Sequence, residues 1–115
     1  MRGATVIDLE HLAKYTGGDE KLNAEIFRLF DLQANELVAR LQSILAARDA
    51  RSWKEVTHTL KGAARGIGAF PMADAAANLE PLDLNDQVRA ANGIGLLKEE
   101  SDAVQSFIRD YLAAS

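Results

Sequence analysis

Trp53-Lys54-Glu55-Val56-Thr57-His58-Thr59-Leu60-Lys61-Gly62-Ala63-Ala64-Arg65-Gly66-Ile67-Gly68 is the stretch on which the reading turns. Projected at about 100° per residue, Trp53, Val56, Leu60, Ala63, Ala64 and Ile67 gather about 140–240° away from His58. That is the one-sided apolar stripe of an amphipathic helix. Gly68 stands where a left-handed C-terminal cap is wanted. The spacing therefore predicts a helix over 50–67, with His58 on the side turned away from the core.

The solvent side of that helix is unusual. Lys54 falls at about −40° from His58, Lys61 at about −60°, Gly62 at about +40° and Arg65 at about −20°. A neutral imidazole is a competent nucleophile near pH 7, since its reference pKa is about 6.5. Nearby cations disfavour its protonation and attract a phosphoryl group. Gly62 leaves the ring unobstructed to a second macromolecule. Glycine inside a helix costs about 1 kcal/mol relative to alanine, and both Gly62 and Gly66 lie on or near the His58 stripe. A functional demand is one candidate reason for keeping them.

Outward from this helix, the rest of the chain also reads as helices. Asp8 caps a short one with Leu9, Leu12 and Ala13 on one face, ending near Thr16-Gly17-Gly18. Asp19 caps a long one whose stripe runs Leu22, Ile26, Leu29/Phe30, Gln33, Leu37, Leu41 and Ile44/Leu45, to about Arg48. Phe70-Pro71 opens a shorter helix with Met72, Ala75, Ala76 and Leu79 on its buried side, and Pro81 ends it. Asn85 is read as the cap of another short helix that stops at Asn92-Gly93. The last helix carries Leu97, Glu100/Ser101, Val104, Phe107/Ile108 and Tyr111/Leu112 in three-four steps. Trp53, Phe27, Phe30, Phe70 and Phe107 read as core or core-edge packing, and His11 as a boundary residue without a role. The fold expected is all-α: an antiparallel four-helix bundle with additional short helices at the N-terminus and between bundle helices.

Composition agrees and narrows the function. The chain has 115 residues, 48% of them hydrophobic and 26% charged. That suits one globular domain over 1–115. It holds 20 Ala and 15 Leu against 15 β-branched residues, and 2 Pro, a balance that favours helix over strand. No cysteine is present. Disulfide scaffolds, zinc ribbons, iron–sulfur sites and thiol nucleophiles are thereby excluded. A net charge of −4 argues against general nucleic-acid binding. No run approaches the ~18 apolar residues of a membrane span. Met1-Arg2-Gly3-Ala4-Thr5-Val6-Ile7-Asp8 has no long apolar segment, so no secretory signal is expected there and a cytoplasmic protein is. Glu55-Val56-Thr57-His58 has the Glu-x-x-His form of a di-iron ligand pair. The second candidate, Asp8-Leu9-Glu10-His11, lies on a short terminal helix, and His58 faces away from the interior. No metal site is expected.

His58-Thr59-Leu60-Lys61-Gly62-Ala63-Ala64-Arg65-Gly66-Ile67-Gly68-Ala69 resembles the signature of histidine phosphotransfer (HPt) domains: His-x-Leu-Lys-Gly, small residues, then an aliphatic residue and Gly. The later Leu79-Glu80 pair is similar to the family as well. The resemblance implies a carrier in a two-component phosphorelay, taking a phosphoryl group from an aspartyl phosphate of one receiver domain and passing it to another. By position it makes His58 the phosphorylated residue, Lys61 the contact to the phosphoryl oxygens and Gly62 the residue that keeps the site open. Arg65 and Lys54 would add longer-range attraction. The partners implied are receiver domains of response regulators or hybrid kinases. Mg²⁺ is expected on the receiver, with no cofactor on this chain. Where the family often has Ser after the motif glycine, this chain has Ala63, and Gly66 replaces an Asn or Ala. The group that orients the His58 ring is thus open among Thr57, Thr59 and a residue from a neighbouring helix. Ile26, Phe27 and Phe30 put apolar residues on more than one face of the second helix, and an exposed subset there would serve as a docking patch. No nucleotide loop of the Walker type occurs, so no kinase activity is expected. The other class in play is a helical adaptor that binds a receiver without being phosphorylated. Adaptors of this fold typically lack the histidine, which this chain keeps.

Overall fold

The computed structural model describes residues 5–114; Met1 to Ala4 of the N-terminal stretch and Ser115 lie outside them. Five helices follow in order: α1 (Leu9–Thr16), α2 (Glu20–Ala46), α3 (Ala50–Gly66), α4 (Phe70–Leu79) and α5 (Gln87–Ala114). No strand occurs among the described residues. Helix α3 packs on α2 and α4, and α5 packs on α2 and α4, closing a four-membered ring, while α1 leans on α2. Short connections between successive helices suit antiparallel neighbours. No helix among the described residues is long and apolar enough to cross a membrane.

Local chemistry sets the helix starts. Asp8 accepts from the backbone N–H groups of Glu10 and His11, Asp19 from those of Lys21 and Leu22, and Asp49 from that of Ser52. Each carboxylate thereby satisfies amide donors that a helix start leaves without partners. Gly17 ends α1 at φ 66°. Gly68 sits at φ +84° between α3 and α4, and a Cβ there would lie 2.5 Å from the Asp8 carbonyl oxygen. The same oxygen-bearing residue donates its N–H to the Gly68 carbonyl at 2.9 Å. This backbone clasp, with buried Ile7 and Leu12, fixes α1 against the α3–α4 corner.

Two expectations are corrected. The interposed helix over 85–93 does not exist separately, because α5 runs unbroken from Gln87 through Asn92, Gly93 and Gly95. Asp86, not Asn85, starts it: its Oδ1 accepts from the Arg89 N–H and its carbonyl from the Ala90 N–H. Gly93 is no stop. A Cβ at 93 would lie 2.4 Å from Leu79 Cδ2, so the glycine lets α4 approach the α5 backbone. Burial of Ala90, Ile94 and Leu97 around it outweighs a glycine penalty of about 1 kcal/mol.

The stripe of α2 is rotated. Its buried residues are Asn23, Ala24, Phe27, Phe30, Ala34, Val38, Leu41, Ile44 and Leu45, while Leu22, Leu29 and Gln33 are exposed and Ile26 and Leu37 half-buried. Apolar residues stand side by side at 26/27, 29/30 and 37/38, so two registers about 100° apart were available. The aromatic register wins. Phe27 packs edge-on against Phe107 and Tyr111 of α5, at centroid distances of 6.3 and 5.0 Å. Burying a phenylalanine side chain is worth about 1.5–3 kcal/mol. Phe27 and Phe30 therefore belong to the core and are no docking patch, and Phe70 stays at the rim.

Candidate functional site

Helix α3 presents the predicted face. Trp53, Val56, Leu60, Ala64 and Ile67 are buried and Ala63 half-buried, while Lys54, His58, Gly62, Arg65 and Gly66 are exposed. The His58 side chain is 71% exposed. Nothing lies within 4 Å of a Cβ built at Gly62 or Gly66, so neither glycine is required by packing inside this chain. Their missing side chains leave a bare strip beside the imidazole.

Lys61 differs from the expectation of a free solvent-side cation. Its side chain is only 20% exposed, and its Nζ donates to Glu80 Oε1 at 3.0 Å. The other oxygen, Oε2, lies 3.5 Å from His58 Nδ1. One carboxylate from the end of α4 thus faces both the imidazole and the lysine of α3. The two contacts are unequal. The first is a charge-assisted hydrogen bond, while the second is within ion-pair reach and longer than the usual 2.7–3.2 Å of N–H···O bonds. Lys61 holds the Glu80 carboxyl below the ordinary carboxylate value; partial burial works the other way, and His58 adds a smaller lowering.

The Glu80 carboxylate is placed by packing at a distance from it. Trp53, buried on α3, donates its indole N–H to the Leu79 carbonyl at 2.8 Å. That carbonyl ends α4, one residue before Glu80, and Leu79 is itself buried against Gly93. Glu80 itself keeps right-handed helical dihedrals, and Pro81, which has no N–H to donate, ends the helical ladder after it. The last turn of α4 is therefore fastened from two sides, and Glu80 projects from it toward α3.

Thr57 is fully buried, and its hydroxyl donates to the Trp53 carbonyl at 2.8 Å. It is spent on the helix backbone. Thr59 is exposed. The ring-facing group from a neighbouring helix is Glu80. Lys54 and Arg65 share the exposed face with His58, and neither forms an ion pair among the described residues. Glu80 carries no role legible in the sequence beyond the Leu79-Glu80 resemblance, since a contact between positions 61 and 80 has no periodicity. The available signal was Pro81, which places Glu80 at a helix end. Among the described residues no group of three or more His, Cys, Asp and Glu is placed to hold a metal ion.

The family model described as Hpt domain matches residues 8–107. No curated protein matches the chain. Among solved structures, it is similar to the crystal structure of histidine-containing phosphotransfer protein B (HptB) from Pseudomonas aeruginosa PAO1. The TM-score is 0.86 and the identity 23%, over 98% of this chain and 99% of that one. At that identity the likeness speaks to the fold.

Proposed function

The chain belongs to the Hpt domain family, and from that premise we propose that it carries a phosphoryl group between receiver domains on His58. The observation that supports this most is the exposed imidazole beside the bare strip at Gly62 and Gly66, with Lys61 and Glu80 at its edge. A receiver aspartate has to come within bonding distance of the ring, which a crowded or buried histidine would forbid.

The reaction is a phosphoryl transfer from an acyl phosphate. Its transition state is loose, so catalysis rests on positioning and charge. The imidazole nitrogen attacks phosphorus in line as the bond to the donor aspartate breaks. Lys61 has three N–H donors. It can hold Glu80 with one and offer another to an equatorial oxygen. Arg65 and Lys54 add longer-range attraction. The receiver supplies the second carboxylate and its Mg²⁺, which neutralises charge on the transferring group. The chain acts as a carrier and not as a kinase.

The apolar residues left outside the core on α2 are the docking element of this reading. Leu29 and Leu32 are 68% and 72% exposed, and Leu22 is at the rim. An exposed apolar group of this size suits a transient signalling contact.

The experiment is two-step transfer. A panel of receiver domains, phosphorylated on aspartate, is incubated with the chain; the labelled chain is then repurified and given an unphosphorylated receiver. The relay predicts label on the chain and its discharge onto the second receiver. Receivers that bind without passing label would favour a non-phosphorylated adaptor instead.

A further inference from the structure

Helices α4 and α5 leave a groove of about 480 Å³ between them, with Ala75, Leu79, Leu82, Gly93 and Leu96 on its apolar side. It lies apart from the site described above. Pro71, Ala75 and Asn78, which form its α4 wall, point about 140–180° away from Glu80 around the helix. The surface continues outward over α5, where Leu96 is 61% and Val88 73% exposed. Between them stands Gly95, exposed in mid-helix. Gly93 is explained by Leu79, but a Cβ at Gly95 would meet nothing within 4 Å. Alanine there would stabilise the helix by about 1 kcal/mol. Packing inside this chain does not account for the glycine, whereas close approach by an outside backbone does.

We propose that the α4–α5 groove docks a basic amphipathic helix of a partner protein, its apolar side on Leu82 and Leu96 and its cations toward Asp74, Glu99 and Glu100. This goes beyond the relay reading and does not depend on it. An apolar surface rimmed by polar residues marks an interaction site, and a groove between two helices suits a third helix laid along it. Charge selects the kind of helix. Asp74 and Glu100 stand on opposite walls of the groove, with Glu99 next to the latter. Asp74 and Glu99 form no ion pair among the described residues. The one cation among the lining residues, Arg89, already lies 3.6 Å from Asp86. The rim is therefore acidic, whereas on α3 Arg51, Lys54, Lys61 and Arg65 stand against Glu55 alone. An approaching cationic helix is drawn to the α4–α5 side and repelled from the His58 face.

A second copy of this chain does not meet these demands. Its basic face, α3, exposes no large apolar side chain to fill the groove. Laying α5 on α5 would set the carboxylates of the two rims against each other. Because the groove faces away from Glu80 and His58, its occupant leaves the imidazole open. In a relay such a partner tethers the carrier while His58 stays available, which raises the effective concentration of whatever the partner carries.

The test titrates the full ¹⁵N-labelled chain with a capped synthetic helix of about 14 residues, roughly 21 Å long. The helix has leucines three and four apart and lysines on its flanks. Its controls are the same peptide with glutamates for the lysines and a scrambled peptide of the same composition. We expect amide shifts centred on Ala75, Asn78 and Leu96, with His58 and Gly62 unmoved, and affinity about tenfold weaker for each control. Asp74→Lys and Leu96→Ser, both at exposed positions, should each weaken binding about tenfold. Gly95→Gln should raise the urea midpoint and still weaken binding, a combination that damage to the fold cannot produce. Absence of binding, equal binding of the glutamate or scrambled peptide, or shifts centred on Leu29 and Leu32 would overturn the proposal. So would indifference to the Asp74 and Leu96 variants. A mass that doubles with concentration, with α5 amides shifting on dilution, would assign the face to a second copy and overturn it as well. None of these readings involves a phosphoryl group, so each leaves the relay standing.

Discussion

Gly62 shows how little a side chain needs to do to matter. It is exposed within α3, its φ is ordinary for a helix, and an added Cβ meets nothing within 4 Å. By the folding energetics of this chain alone, alanine is the better residue there, by about 1 kcal/mol. The expected outcome for Gly62→Ala is therefore a higher urea midpoint with an unchanged slope. A bulkier Gly62→Gln is expected to fold equally well and to slow transfer from a receiver on the order of 10²-fold, since small misplacements of reacting groups carry penalties of that size. Rapid transfer by the glutamine variant would mean that the bare strip is not an approach path. Gly68 is the opposite case. At φ +84°, with the Asp8 carbonyl 2.5 Å from where a Cβ would stand, it is required by the fold. Gly68→Ala is expected to destabilise the chain by about 1–3 kcal/mol, read from the same denaturation curve.

At the scale of elements, the decisive contact is between α3 and the end of α4. Trp53 donates to the Leu79 carbonyl from within the core, and that bond sets where Glu80 begins. Trp53→Phe keeps most of the apolar volume and removes the indole donor while the Leu82 N–H, at 3.1 Å, still reaches the carbonyl, at an expected loss of about 1 kcal/mol, the net worth of one hydrogen bond. The same variant should also slow transfer, because the carboxylate beside His58 and Lys61 loses its fixed origin. A stability loss with transfer unchanged would show that Glu80 is placed by something else. Periodicity made the helical face of α3 legible, because its apolar residues are spaced without ambiguity. It failed on α2, where Ile26/Phe27 and Leu29/Phe30 offered two faces and only the aromatic partners Phe107 and Tyr111 on α5 decide between them. It failed again at Gly93, whose meaning lies in Leu79 across the bundle. Glu80 escaped for a related reason: the register of α4 on α3 brings it to Lys61, and local sequence does not encode that register.

At the scale of the whole molecule, a closed ring of four helices leaves one side of α3 open with its histidine outward, and exposed leucines on α2. Leu29→Glu alters only exposed surface, so its stability should stay within about 0.5 kcal/mol of wild type. Its transfer from a receiver should weaken about tenfold if Leu29 anchors docking, seen as a higher receiver concentration at half-maximal rate. Acid stability reports on the site from another direction. In the folded chain the Glu80 carboxyl lies below its ordinary 4.5 because Lys61 stabilises its charge. The folded state then binds fewer protons than the unfolded one. The contribution is complete above the ordinary value and is lost as pH falls through the folded one. Glu80→Gln should therefore be less stable than wild type at neutral pH, with the gap closing as the solution is acidified below about pH 4.5. A gap independent of pH would remove Lys61–Glu80 electrostatics from the account.

All of this depends on one atom group carrying phosphorus. The most direct measurement is the intact mass and peptide map of the chain after exposure to a phosphorylated receiver, for wild type and His58→Gln side by side. The expected result is a single added phosphoryl group on wild type, labile in acid and stable in base, located at His58 and absent from His58→Gln. Equal labelling of His58→Gln, or label mapped to His11 or to a carboxylate, would contradict it.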